Sequence, residues 1–207
     1  MTRPLGVILA GGQATRMGGG DKGRLGLGNG HTLFDEVIQR LGTQVDAMAI
    51  NANGDASRFA DLGLPVLQDS ISEFPGPLAG VLAGLDWAAE QGANSIVSVA
   101  ADTPFFPRDL VQRFMEASED REPQLSLASS FDVHGKLWRQ PTFGLWPVAL
   151  RDDLRASLKN GLRKVVVWTD QHNAREVVFK SQLFDPFFNV NTPEGLRKAQ
   201  DLMRDAL

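Results

Sequence analysis

LAGGQATRMGGGDKG, residues 9–23, follows directly on the apolar run LGVIL at residues 5–9. A short apolar run closed by a turn signal is the pattern of a buried strand. Six of the chain's 21 glycines, Gly11, Gly12, Gly18, Gly19, Gly20 and Gly23, crowd into the loop after it. Without a Cβ, such a loop takes positive φ readily and lets its backbone approach a ligand. Amides pointing inward from it make a nest for an anion. Arg16 and Lys22 add a planar fork and a point charge, both suited to phosphate. Glycine-rich backbone with two cations at the carboxyl end of a first strand is the composition a triphosphate needs. Simple flexible connectors seldom sit directly after a buried strand with Arg and Lys interleaved. Gly18, Gly20 and Gly23 formally spell G-x-G-x-x-G, the mark of a dinucleotide fold and an NAD-dependent oxidoreductase. That match starts well past the strand, contains Asp21 and Lys22, and has no acidic residue closing a second strand to hold a ribose. No G-x-x-x-x-G-K-[ST] loop occurs.

Outward from the loop, strand-like and helix-like segments alternate. Residues 32–41 (TLFDEVIQRL) carry Leu33, Val37, Ile38 and Leu41 at helical spacing. Residues 45–51 read as a second strand, 56–62 as a short helix and 65–68 as a brief third strand. Residues 77–90 read as a helix with Pro77 at its start and Gly92 beyond its end. The small, apolar run 95–101 (SIVSVAA) suits the centre of a parallel sheet. A helix over 107–117, a strand over 125–130 and a closing helix over 192–206 complete the pattern. The expected fold is α/β, a three-layer, doubly wound and mostly parallel sheet in a single domain. Its nucleotide-binding half is expected over 1–120 and its acceptor-binding half over 121–207. Residues 131–188 are less regular and suggest an inserted strand pair with helices flanking the sheet.

Composition narrows the classes. The chain has 207 residues, 43% hydrophobic and 22% charged, which suits one soluble globular domain with a real core. It has no cysteine, which excludes disulfides, thiolate metal sites and cysteine nucleophiles. A net charge of -4 argues against a protein that coats a nucleic-acid backbone. No apolar run has membrane-spanning length and the first residues lack a signal-peptide pattern, so a cytoplasmic protein is expected. Nothing resembles a heptad or a long apolar edge, so a monomer is expected. His31, His134 and His172 share no metal-ligand spacing.

Several further residues carry two readings each. Asp102 follows the strand 95–101 and should reach the crevice at the sheet's carboxyl edge. There it is either a Mg²⁺ ligand beside the phosphates or a turn residue before Pro104. Asn51 and Asp69 end the second and third strands, where they either recognise a nucleoside or cap turns. FPGPLAG (74–80) is either a tight turn or a place where backbone, Gly80 included, approaches base or ribose. Asn191, three residues before Glu194, fits a helix cap; Asn189 does not. Arg163 and Lys164 open a β-branched run and read by themselves as solvated charges.

The signature LAGG-x3-RMGG-x-DKG resembles that of the GT-A-like nucleotidyltransferases, and within them it is most similar to the molybdenum cofactor guanylyltransferases, the MobA family. INAN (50–53), QDS (68–70), FPGPLAG (74–80), DTPF (102–105) and NVNTPE (189–194) stand in that family's order. Between 131 and 183 only RQPT (139–142) and GLRKV (161–165) match. The resemblance implies transfer of GMP from GTP to the phosphate of molybdopterin, with Mg²⁺ as the metal and a molybdoenzyme or a delivery protein downstream. In the family's pattern the second glycine of LAGG points to guanine over cytosine, and the resemblance carries that expectation here. By the same resemblance Leu9, Ala10, Gly11, Gly12, Asn51 and Asp69 belong to the GTP site. Asp102 would hold the metal, with Arg16 and Lys22 as catalytic cations. Arg163, Asn189 and Asn191 would serve the acceptor, Asn189 near metal and phosphates. A CTP-dependent or sugar-phosphate nucleotidyltransferase, and a non-catalytic GTP-binding module, are the alternatives.

Overall fold

Alternate residues of a strand face opposite ways, and here that alternation feeds two separate cores. In the computed structural model, which describes residues 3–11, 21–71, 76–120, 122–132, 134–180 and 184–205, β1 (Leu5–Leu9) sends Leu5 and Val7 to one side and Ile8 to the other. The Ile8 side is covered by α1 (Leu33–Gly42) and α3 (Leu110–Ala117), through Phe34, Val37, Leu41, Leu110 and Phe114. The Val7 side is covered by α2 (Pro77–Glu90), α4 (Arg151–Lys159) and α5 (Val165–Gln171). A smaller cluster joins Leu27, Leu33 and Phe105 to α6 (Pro193–Asp205) through Ala199 and Met203. Helices therefore cover both faces of one sheet, as expected.

The remaining strands are β2 (Met48–Asn51), β3 (Val66–Leu67), β4 (Ser95–Ala100), β5 (Ser126–Phe131), β6 (Leu137–Pro147) and β7 (Arg175–Phe179). Their spatial order is β3-β2-β1-β4-β6-β5-β7. β1 runs parallel to β2 and β4, β2 to β3, and β5 to β7. β6 runs antiparallel to both its neighbours, β4 and β5. This corrects the expectation of an inserted strand pair: β6 is an integral strand of the main sheet, seated on the far side of β4 from β1. β4 is central, but it has a parallel neighbour on one side only.

Local chemistry sets the element ends. α1 starts at a capping box: the Thr32 hydroxyl accepts from the Asp35 amide and the Asp35 carboxylate accepts from the Thr32 amide. α2 starts at Gly76, whose φ of 146° favours glycine, followed by Pro77. The β-branched run at 165–167 begins a helix because Val165, Trp168 and Thr169 are buried at helical spacing. Burial here outweighs the strand preference of valine. Among the described residues no helix is long and apolar enough to cross a membrane.

Candidate functional site

The carboxyl ends of β3, β2, β1 and β4 lie side by side, which places Asp69, Asn51, Leu9 and Asp102 along one edge of the sheet. Three strand spacings separate the first from the last, about 14 Å. A cleft of about 340 Å³ runs along this edge, lined by these four residues and by Gly11, Asn53, Gly76, Pro77, Thr142 and Asn189 among others. Its extent suits a nucleoside triphosphate laid across the strand ends.

At one end, hydrogen bonds tie three side chains together. Asn51 donates from Nδ2 to Asp69 Oδ1 at 2.9 Å and to the Leu67 carbonyl at 3.1 Å. Asn53 donates to Asp69 Oδ2 at 2.8 Å, and its own Oδ1 accepts the Asp69 amide at 2.9 Å. Both carboxylate oxygens are thus oriented, and each keeps acceptor capacity toward the cleft. Asn51 is buried, and the Asn51 carbonyl takes the Ala10 amide at 2.9 Å, which fixes the strand end beside it. Beneath it, a Cβ on Gly80 would stand 2.2 Å from Asn51 Oδ1 and 2.8 Å from Leu9 Cδ2. Gly80 therefore serves the site from below, as the seat of Asn51.

At the other end, charge dominates. Lys22 Nζ lies 3.3 Å from Asp102 Oδ2 and also donates to Asn191 Oδ1. The two charged side chains are 21% and 18% exposed, enclosed enough to feel each other strongly yet open to a ligand. Asp102 is placed by the strand: Ala101 donates to the Leu9 carbonyl at 3.1 Å, and Val190 donates to the Asp102 carbonyl at 2.8 Å. Lys22 is placed by a 3-10 turn, Lys22–Arg24, whose middle residue, Gly23, is pressed against Phe34. A Cβ there would meet that ring at 2.3 Å, so only glycine lets the turn settle on α1. Ala10 borders the small recess between Lys22 and Asp102.

The third wall comes from β6. Its pairing with β5 jumps between Ala128↔Gln140 and Leu127↔Gly144, and Thr142 lies in the resulting bulge. Buried Ser98 holds it there, accepting from Trp146 Nε1 at 2.8 Å and donating to the Thr142 carbonyl at 2.9 Å.

The expected residues are thus distributed unequally. Leu9, Gly11, Asn51, Asp69, Asp102 and Asn189 line the cleft, and Lys22 and Asn191 adjoin it. Helix capping does not explain Asn191, because the Thr192 hydroxyl takes the Gly195 amide at 3.0 Å. Arg163 sits in the connection from α4 to α5, donating to the Leu158 and Leu162 carbonyls, and is not among the cleft-lining residues. Gly12 and Arg16 lie outside the described residues. Gly76 belongs to FPGPLAG, whose glycines were expected to approach base or ribose; Asn53 and Thr142 were not among the expected site residues, although INAN and RQPT contain them.

A family model described as a MobA-like NTP transferase domain matches residues 6–175. The chain is 46% identical over 204 residues to a molybdenum cofactor guanylyltransferase of Mesorhizobium japonicum, covering 96% of this chain and 95% of that protein. It is 48% identical over 202 residues to one of Rhodopseudomonas palustris, covering 96% and 92%. Among solved structures, a molybdopterin-guanine dinucleotide biosynthesis protein A from Archaeoglobus fulgidus matches with a TM-score of 0.70 and 20% identity, over 97% of this chain and 99% of that one. A nucleotidyl transferase from Methanothermobacter thermautotroptrophicus matches with a TM-score of 0.71 and 17% identity, over 100% of both. Likeness at such identities speaks for the fold alone. The match over residues 6–175, with relatives near half identity along almost the whole chain, shows that the chain belongs to the MobA-like NTP transferase family.

Proposed function

We propose that this chain transfers GMP from GTP to the phosphate of molybdopterin, releasing pyrophosphate and giving the guanine dinucleotide form of the cofactor. The observation that carries the reading is the cleft with two unlike ends: an oriented carboxylate at Asp69 and a lysine–aspartate pair at Lys22 and Asp102. Guanine presents two adjacent donors, N1–H and the 2-amino group, and a carboxylate with two oriented oxygens accepts both. Cytosine offers only its 4-amino donor. The close relatives, named molybdenum cofactor guanylyltransferases, supply the identity of the acceptor.

The chemistry asks little acid–base help from the protein. A phosphate monoester has its second pKa near ~6 and is mostly dianionic at neutral pH, so the acceptor oxygen is already a nucleophile. It attacks the α-phosphorus in line; the bond to the bridging oxygen of the β-phosphate breaks, and that oxygen leaves with the pyrophosphate. The Lys22 ammonium offsets charge as it builds, with Arg16 as a proposed second cation. Asn191 holds Lys22 in place through Oδ1. The Gly11–Gly12 backbone positions the phosphates. Alignment and charge stabilisation are the terms that dominate such transfers.

A divalent cation, which we take to be Mg²⁺, fits the same end. Among the described residues no cluster of three or more His, Cys, Asp or Glu side chains forms a cage, so the fit is to a cation that arrives with the nucleotide. Asp102 and Asn189 would hold it with two hard oxygen donors, leaving positions for phosphate oxygens and water. Bound there, it would neutralise phosphate charge. Lys22 shares the Asp102 carboxylate, so the phosphates would have to offset the repulsion between the cation and the ammonium. The acceptor is proposed to enter from the side of Thr142 and Asn189, with Arg163 a more distant aid, and the monomer to pass its product in the cytoplasm to a molybdoenzyme or delivery protein.

The test is pyrophosphate release from GTP, with product mass determined, in the presence and absence of molybdopterin and Mg²⁺. Release that needs both GTP and the acceptor is expected. Preference for CTP would move the chain to a cytidylyl-transferring relative, and no release from any triphosphate would refute the reading.

A further inference from the structure

The two ends of the cleft are joined by a route outside it. Arg58 lies in the 3-10 helix Ala56–Leu62, between β2 and β3. Its Nη2 donates to the Asn53 carbonyl at 2.8 Å, and its Nε lies 3.4 Å from Asp21 Oδ2. Asn53 is the residue that exchanges two hydrogen bonds with Asp69, and Asp21 directly precedes Lys22. The guanidinium is also held over the Phe59 ring, 4.7 Å from its centroid, and Phe59 meets Phe34 edge to face at 5.7 Å. A second arginine fastens the same two segments. Arg24, in the turn that carries Lys22, binds both oxygens of Asp61 at 2.5 and 2.6 Å and the Arg58 carbonyl.

We propose that Arg58 is a positioning residue that couples recognition of the base at Asn53 and Asp69 to the placement of Lys22 at the phosphates. This rests on the guanylyltransferase reading above. The chain of contacts is continuous and short: Asp69, Asn53, Arg58, Asp21, Lys22. One planar cation serves two acceptors on different segments, a task suited to the arginine fork and not to a lysine point charge. A base that pulls on Asp69 shifts Asn53, and Arg58 passes that shift to the turn bearing Lys22. A base that leaves Asp69 incompletely engaged leaves Lys22 less well placed, so discrimination enters the turnover step as well as binding.

Inosine triphosphate, which lacks only the 2-amino donor of GTP, is the probe. The turnover number and KM are measured for both nucleotides by pyrophosphate release with saturating acceptor, in wild type, Arg58→Ala, Arg58→Lys and Asp21→Asn. Wild type is expected to turn over GTP about tenfold faster than inosine triphosphate at saturation, the size of one charge-assisted hydrogen bond. In Arg58→Ala and Asp21→Asn the two turnover numbers are expected to converge, GTP falling toward the inosine value. Arg58→Lys should retain part of the difference. A purely structural role would lower both nucleotides alike and leave their ratio unchanged, which would overturn the proposal. So would equal turnover numbers in wild type with only KM differing. Should Arg58→Ala fail to fold, Asp21→Asn and Arg58→Lys carry the same comparison. A wild type that releases no pyrophosphate from GTP refutes the guanylyltransferase reading itself, an outcome separate from an unchanged ratio.

Discussion

The two ends of the cleft, proposed to take the base and the phosphates, are built by different physics. At the base end, Asn51, Asn53 and Asp69 are locked by several hydrogen bonds of 2.8–3.1 Å, and a buried asparagine rests on a glycine of α2. At the phosphate end, Lys22 is held by one carboxylate and one amide oxygen on segments distant in the chain. On the proposed reading the first arrangement would select, because its donors and acceptors are fixed before a ligand arrives. The second would respond, because an ammonium on a four-carbon stem can follow charge as it develops. Damage at the base end should therefore appear first in affinity and selectivity, with a smaller loss of turnover passed on through Arg58, and damage at the phosphate end almost wholly in turnover.

The largest effect is expected from Lys22→Ala. Losing one preorganised electrostatic group typically costs about 3 kcal/mol, roughly a hundredfold in rate. Steady-state pyrophosphate release should show that loss mainly in the turnover number, with an unchanged melting temperature. A main effect on KM would erase the distinction between the two ends. Asp69→Ala comes next: about a tenfold to hundredfold loss in GTP affinity, with the preference over CTP collapsing, since the hydrogen-bonding site would leave Asn51 and Asn53 without their carboxylate.

Glycine substitutions sharpen the contrast at smaller scale. Gly80→Ala forces a methyl against Asn51 and Leu9 and should cost about 1–3 kcal/mol in urea unfolding, as overpacking does. Among the described residues no atom lies within 4 Å of a Cβ placed on Gly11. Gly11→Ala should leave stability intact and impair only nucleotide binding, because Gly11 lines the cleft proposed to hold the nucleotide. Equal destabilisation by both would contradict the account of Gly80 as a seat.

The smallest effect lies outside both ends, at the start of α1. Hydrogen bonding from the Thr32 amide holds the Asp35 carboxyl below its ordinary range, against an opposing effect of burial. A depressed folded-state pKa contributes stability above the unfolded value of about 3.9, and that contribution is lost as pH falls through the folded value. Asp35→Asn should thus be less stable than wild type at pH 7, by roughly 0.5 kcal/mol once solvent screening of this partly exposed carboxylate is allowed for. The gap should close in acid, read from urea midpoints across pH. A gap that widens in acid would reverse the sign of this argument.

Much of the first half was legible because local and tertiary signals agree there. The run 5–9, the short helix over 56–62 and the helix over 77–90 appear with those bounds. Each is bounded by glycine, proline or a polar cap. α3 begins at Leu110, later than expected from Pro107, because Pro107 and Asp109 form its lead-in: their carbonyls accept from Leu110 and Arg113. β6 was not legible. Its outer half is exposed, its inner half is buried on both faces, and Pro141 and the bulge break the two-residue period that marks a strand. At the site, Asp102 and Lys22 could be placed because strand ends and glycine loops converge by topology. The meeting of Lys22 with Asn191, 169 residues apart, could not. Asn191 mimics a cap in sequence, and the packing of α6 against Leu27 and Phe105, with the Val190 amide on the Asp102 carbonyl, brings it to Lys22.

The most direct test is calorimetric binding of GTP, CTP, ATP and UTP, each with Mg²⁺, to wild type and to Asp69→Ala. Selective binding of GTP that collapses in the variant is the expected result. Equal binding of all four by wild type, or selectivity untouched by the loss of Asp69, would contradict a cleft that reads guanine at one end and aligns its phosphates at the other.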